Sequence, residues 1–241
     1  MGMMDGHDPI MRRWSPRAFD GTAEVSPDTV RVLLEAARWA ASHGNTQPAR
    51  FLVGYRGDDT FERIFAALRP GNQTWAGRAS VLLVAAAAEV DERGPMPNTE
   101  FGLGLAVQNL VLRAVELDLV THQVGGFSPE VIRESFGVPD HVRPVVVIAV
   151  GVLGDASELP DDLRRREQRA RVRKPLGETA FAGRWGEPAF PDACASGRPG
   201  GPATGCPGRR RTADVPGRGS ARGARPGTRA APGGGAWRAR W

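Results

Sequence analysis

Residues 79–86 read A-S-V-L-L-V-A-A, eight positions without a charged side chain. A run this short and this apolar predicts a central strand covered on both faces, because a strand with one wet face alternates instead. Such a strand needs company. R-F-L-V-G-Y (50–55) reads as a second strand, and the Val/Ile-rich stretch Val142 to Val152 as a third.

The cover comes from helical patterns on either side. Ser26-Pro27-Asp28 combines a capping hydroxyl, a proline at the first helical position and an acid in the first turn. Val30, Leu33, Leu34, Ala37 and Ala41 follow at helical spacing, with a stop expected near Gly44. Phe61, Ile64, Phe65 and Leu68 mark a second helix closed by Pro70-Gly71, and Phe101 to Leu119 is apolar almost all round, which predicts a buried helix. Ser128-Pro129-Glu130 opens another by the same capping chemistry, and Gly137 ends it. Leu163 to Val172 is either a charged helix or an extended arm, and residues 173–190 show no clear period. Helices and strands alternate without a regular βαβ repeat, so the expected class is an α+β sandwich.

Composition divides the chain. Residues 191–241 hold ten Arg against two Asp, a formal +8, whereas the whole chain is +5. The body is therefore mildly acidic, and the basic pI belongs to the tail, which removes the simplest argument for nucleic-acid binding by the folded part. That tail also contains twelve of the 31 Gly and seven of the 20 Pro. It cannot bury enough apolar surface to offset an ordering cost of roughly 1–2 kcal/mol per residue, so disorder is expected. Its Arg/Gly/Pro/Ala composition also matches a GC-rich coding sequence read in the wrong frame; an RNA-binding tail is the other reading, though no aromatics are interleaved with its arginines. The expected organisation is a flexible N-terminus (1–10), one folded domain (11–190) and the tail (191–241).

Cys194 and Cys206 both lie in the tail, so the body has no thiol for catalysis and no zinc spacing. The start, M-G-M-M-D-G-H-D-P-I, has no apolar signal region, and no apolar run reaches the ~18 residues of a membrane span. A cytoplasmic protein is expected. There is no G-x-G-x-x-G after a strand, no phosphate loop of the G-x-x-x-x-G-K-[ST] type, no G-x-S-x-G and no H-E-x-x-H. His7, His43, His122 and His141 are scattered, so hydrolytic chemistry has no visible apparatus.

Five segments remain: R-W-S-P-R-A-F-D (13–20), E-A-A-R-W-A-A-S-H-G-N-T-Q-P-A-R-F (35–51), G-N-Q-T-W-A (71–76), H-Q-V-G-G-F (122–127) and R-V-R-K-P-L-G-E-T-A-F-A-G-R-W-G-E-P (171–188). Each is weak alone; Arg13 and Arg17 by themselves read as a solvated loop. In this order and spacing the chain resembles the nitroreductase family of FMN-dependent oxidoreductases, from Arg12 to Pro188. The resemblance implies a sandwich with a central, mainly antiparallel sheet flanked by helices. It also implies a homodimer with FMN at the interface and a C-terminal arm swapped onto the partner.

By that resemblance Arg13 and Ser15 serve the phosphate and ribityl end of FMN, joined by Arg171 and Arg173, and Trp14 is a further cofactor-binding residue. Forked, charge-assisted donors suit a phosphate dianion. Arg17 is the cation expected at the flavin N1/O2 edge, where positive charge favours the reduced ring. Asn72 matches an asparagine at the pyrimidine edge, and Trp75 stands where some members carry a lysine. Val124, Gly125, Gly126 and Phe127 match the loop whose backbone approaches N5, and Gln123 just before it is a further cofactor-binding residue. Asn45 reads either as a ribityl or pocket residue or as a turn asparagine. Trp39, Trp75 and Trp185 read as packing residues. The implied activity is ping-pong hydride transfer from NADH or NADPH, through flavin N5, to a nitroaromatic, quinone or other small oxidised acceptor, with no protein residue as acid or base. A non-catalytic FMN-binding or storage protein is the alternative, with RNA binding through the tail a third reading.

Overall fold

The computed structural model describes residues 8–190. In chain order the elements are α1 (Pro9–Arg12), α2 (Pro27–Arg38), β1 (Ala49–Tyr55), α3 (Asp59–Ala66), α4 (Pro70–Ala76), β2 (Val81–Ala88), β3 (Val90–Asp91), β4 (Gly94–Pro95), α5 (Thr99–Glu116), β5 (Val120–Val124), α6 (Pro129–Phe136), β6 (Val142–Gly151) and α7 (Asp161–Glu167). The chain divides into two compact units, Met1–Val172 and Arg173–Trp241. All the elements above belong to the first. The described part of the second, residues 173–190, holds a 3₁₀ turn at Leu176–Glu178 and a bridge between Phe181 and Pro188. Of the N-terminus expected to be flexible over residues 1–10, residues 1–7 lie outside the described residues, whereas Pro9 and Ile10 open α1; the Arg-rich tail, 191–241, lies outside them altogether.

The A-S-V-L-L-V-A-A run, buried at every position, supplies β2 from Val81 on, and the strand continues two residues beyond it to Ala88. The sheet order is β1-β2-β6-β5, antiparallel throughout, with Leu52 and Val147 both opposite Val84. Alternation sends Leu82 and Val84 to one face, against Ile64 of α3, Trp75 of α4 and Ile132 of α6. Val81, Leu83 and Ala85 go to the other, against Leu33 of α2 and Leu103, Leu110 and Val111 of α5. Each fully buried Leu or Val contributes about 1.5–3 kcal/mol. The architecture is the expected α+β sandwich, helix layers on both faces of an antiparallel sheet.

Capping chemistry places the helix starts. Ser26 and Ser128 accept from the amides of Thr29 and Val131, and Gly137 closes α6 at φ 60°. Other boundaries differ from expectation. α2 ends at Arg38, short of Gly44, where Trp39 leaves helical geometry, and Gly44, Asn45 and Gln47 beyond it take positive φ. Pro70 opens α4 instead of closing α3, occupying the first helical position, where a missing N–H costs nothing. β5 is an edge strand of mixed polarity, and its period was not legible. α5 is not buried all round: Phe101 is 70 % exposed, and Gly104 and Gln108 share its open face.

Candidate functional site

The segment 13–20 has little regular structure, and its backbone is held by tertiary bonds. A Glu167 carboxylate oxygen at the end of α7 accepts from the amides of Arg17 and Ala18, the latter at 2.9 Å. The two amino groups of Arg171 donate to the carbonyls of Arg13 and Met11, each at 2.7 Å. Nδ1 of His122 lies 2.9 Å from the carbonyl of Pro16. A carbonyl can only accept, so Nδ1 carries the proton. Farther on, Gly154 and Ala18 bond through their backbones at 3.0 Å, as do Asp20 and Val152.

The side chains displayed by this clamped loop meet the end of β5. Arg13 Nη1 donates to Ser15 Oγ at 3.2 Å, and Ser15 Oγ makes a long contact of 3.4 Å with Gln123 Oε1. Gln123 is itself oriented by Thr121 Oγ1 at 3.0 Å. Arg17 is half-buried, and among the described residues its guanidinium makes no hydrogen bond or ion pair. Trp14 is half-buried as well.

After the buried Val124, the chain passes through Gly125 and Gly126. The Gly126 carbonyl accepts from Asn72 Nδ2 at 2.9 Å and from the Arg69 amide at 3.0 Å. A Cβ on Gly126 would lie 2.5 Å from that Asn72 nitrogen, so a larger residue there would push the Asn72 amide off its bond. A Cβ on Gly125 would meet nothing within 4 Å. The loop therefore borders open space, with a free face of backbone on one side.

Arg13, Ser15, Gln123, Asn72 and the glycine pair are thus linked in one neighbourhood. Asn45 is not in it. Asp118, just past α5, pairs with Arg12 at 2.6 Å, whereas Gly102, in the first turn of α5, packs on Pro48 and Ser42. At ~1.5 Å per helical residue these two places are roughly 24 Å apart along α5. Asn45 and Gln47 hold φ of 57° and 49°, and Thr46 Oγ1 is buried without a partner. Non-glycine residues in that region each cost of order 1 kcal/mol or more, a strain typical of ligand loops. Arg173 opens the second unit. Trp75 is a core residue, 1 % exposed, stacked on Phe19 at 6.0 Å and tilted over His122 at 4.5 Å. Trp39 and Trp185, by contrast, are exposed.

His122 and Glu167 carry the loop, yet neither had a signal that singled it out. His122 sits within a quoted motif, but Glu167 is one acid in a charge-rich run. Burial pushes the His122 pKa below its ordinary 6.5; Arg17's charge pushes the same way, against the Pro16 bond and the Glu167 charge. The unfolded chain thus takes up a proton below about 6.5 that the folded site refuses, so stability falls as pH drops from there towards the folded value. Thermal melts across this range should show that loss. His122→Asn, which keeps a donor for Pro16, should flatten the slope; an unchanged slope would assign it elsewhere.

The model of the nitroreductase family matches residues 10–69 and 56–152. An uncharacterized 15.4 kDa protein in the ask 5′ region of Mycolicibacterium smegmatis is 37% identical over 147 residues, which is 58% of this chain and 99% of that protein. The crystal structure of an oxidoreductase containing FMN is 34% identical, with a TM-score of 0.71 over 77% of this chain and 95% of that one. A protein from Exiguobacterium sibiricum solved in complex with FMN shares the fold at 21% identity, with a TM-score of 0.60 over 76% of this chain and 99% of its own. The chain belongs to the nitroreductase family.

Proposed function

We propose that this protein binds FMN and acts as an NADH- or NADPH-dependent oxidoreductase on a nitroaromatic, quinone or other small oxidised acceptor. The observation that carries the reading is Arg17: a half-buried guanidinium without an ionic partner among the described residues, on a backbone fixed by Glu167 and His122. A cation kept partly out of water awaits an anion or a strong acceptor. The donor set fits FMN. Arg13 and Ser15 would hold the phosphate, Arg17 the electron-rich N1/O2 edge, and Asn72, whose amino group already braces Gly126, has its carbonyl oxygen for the pyrimidine edge. The open face of Gly125 would take the reacting edge of the ring. Bound FMN supplies hydride acceptance and donation at N5, so no side chain need act as acid or base. Arg171 acts through the loop it clamps.

The proposed assembly is a homodimer, with the C-terminal arm crossing to the second copy. Phe101, Gly104, Leu105 and Gln108 present a mostly apolar face of α5 that a single chain leaves open. Asn45 lies at the far end of α5 from Arg13, so the Asn45 that completes a pocket comes from the second copy. Phe101→Glu, which keeps a helix-compatible acid in the first turn, should shift the protein to monomer mass in light scattering. A dimer of unchanged dissociation constant would place the interface elsewhere.

Anaerobic addition of NADH or NADPH to the FMN-loaded protein tests the activity. Bleaching of the flavin and its return on adding a quinone are expected. A yellow protein that neither donor bleaches would support the storage reading.

A further inference from the structure

Most arginines of residues 8–172 meet a carboxylate or a backbone carbonyl, as Arg12 does with Asp118, Arg78 with Glu158 and Arg143 with Glu89 and Glu100. Arg69 does not. Its backbone is fixed, with its amide on the Gly126 carbonyl at 3.0 Å and its own carbonyl accepting from the Asn72 amide at 2.8 Å. Its stem runs along the glycine loop: Cδ lies 3.7 Å from where a Gly126 Cβ would stand. Its guanidinium, exposed, makes no hydrogen bond or ion pair among the described residues. The 3.7 Å approach is ordinary packing distance, so the stem lies against the loop, and the space beside Gly125 is open.

We infer that Arg69 selects acceptors carrying a carboxylate, the substrate class of the site proposed above, on whose FMN reading this inference rests. A planar guanidinium matches a carboxylate through two parallel N–H bonds, and it does so here at the reacting end of the pocket. The extra phosphate of NADPH is the other available anion. It lies at the opposite end of that dinucleotide from the nicotinamide, so a nicotinamide placed at Gly125 leaves it remote from Arg69. A side chain anchored through its own backbone to the glycine loop keeps its position when the acceptor changes. That is what a selectivity residue requires.

The probes are 4-nitrobenzoate and its neutral analogue 4-nitrobenzamide, titrated calorimetrically into the FMN-loaded full chain at low salt without a donor. The wild type should bind the benzoate about tenfold to hundredfold tighter, the range of one charge-assisted pair. Arg69→Gln should abolish that ratio, and Arg69→Lys should keep part of it. Equal binding of the two probes by the loaded wild type, or an undiminished ratio in Arg69→Gln, overturns the assignment. So does an Arg69 effect confined to NADPH over NADH, which would move the anion to the donor. A wild-type chain that takes up no FMN overturns the underlying reading instead.

Discussion

Replacing Arg13 and Arg17 together by Ala should strip the protein of flavin. On gel filtration the double variant is expected to elute folded but colourless. Each guanidinium lost to an anionic or strongly accepting partner removes about 1.5–3 kcal/mol, so the pair removes roughly a hundredfold to ten-thousandfold in affinity. Folding should survive, because the loop is held by other groups: the carboxylate of Glu167, the ring of His122 and the guanidinium of Arg171 all bond its backbone. Circular dichroism checks that. A folded double variant that keeps one FMN per chain would remove both residues from the pocket.

Gly154→Ala should be the most damaging single methyl in the molecule's site region. A Cβ there would lie 2.5 Å from the Phe19 carbonyl carbon, 2.6 Å from the Asp20 amide nitrogen and 2.7 Å from the Phe19 oxygen, all rigid backbone. Nothing there is the movable end of a side chain. The two strands of chain must part, which breaks the Gly154–Ala18 and Asp20–Val152 bonds and draws the arginine loop out of place. Overpacking and the lost bonds together should cost about 3 kcal/mol, or roughly 6–12 °C in melting temperature for a domain of this size. Flavin affinity should fall with it. Gly71→Ala is the control: it lies in α4 with nothing within 4 Å of its Cβ position, and should be neutral or slightly stabilising. Equal melting temperatures for the two variants would contradict the close approach.

The fold was legible where local chemistry decides it. A-S-V-L-L-V-A-A announces a doubly covered strand, and the hydroxyl-proline-acid starts at Ser26 and Ser128 announce helices. Boundaries set by later contacts were not. Pro70 reads equally as an end or a beginning, and β5 is ordered by pairing with β6, which its own five residues do not encode. The exposed face of α5 illustrates a further limit, since an apolar residue that awaits another chain looks like a core residue in sequence. For the site, the motifs marked Arg13, Ser15, Asn72 and the glycine pair: Arg13 and Ser15 reach Gln123, Asn72 bonds Gly126, and the chain from Gln123 to Gly126 joins the two groups. The sequence could not show that Asn45 sits at the far end of a helix, nor that Glu167 and His122 hold the loop. Arg69 had no motif at all; its meaning comes from its stem lying against Gly126 and from its having no partner among the described residues.

The central claim is that the clamped loop at Arg13–Arg17 and the glycine turn at Gly125–Gly126 form a cradle for FMN. The most direct measurement is the flavin content of the purified full-length protein, read from its visible absorption after incubation with FMN and removal of the excess. One FMN per chain, retained through gel filtration and lost in the Arg13→Ala/Arg17→Ala variant, is the predicted result. A folded wild-type protein that stays colourless after that incubation would contradict it.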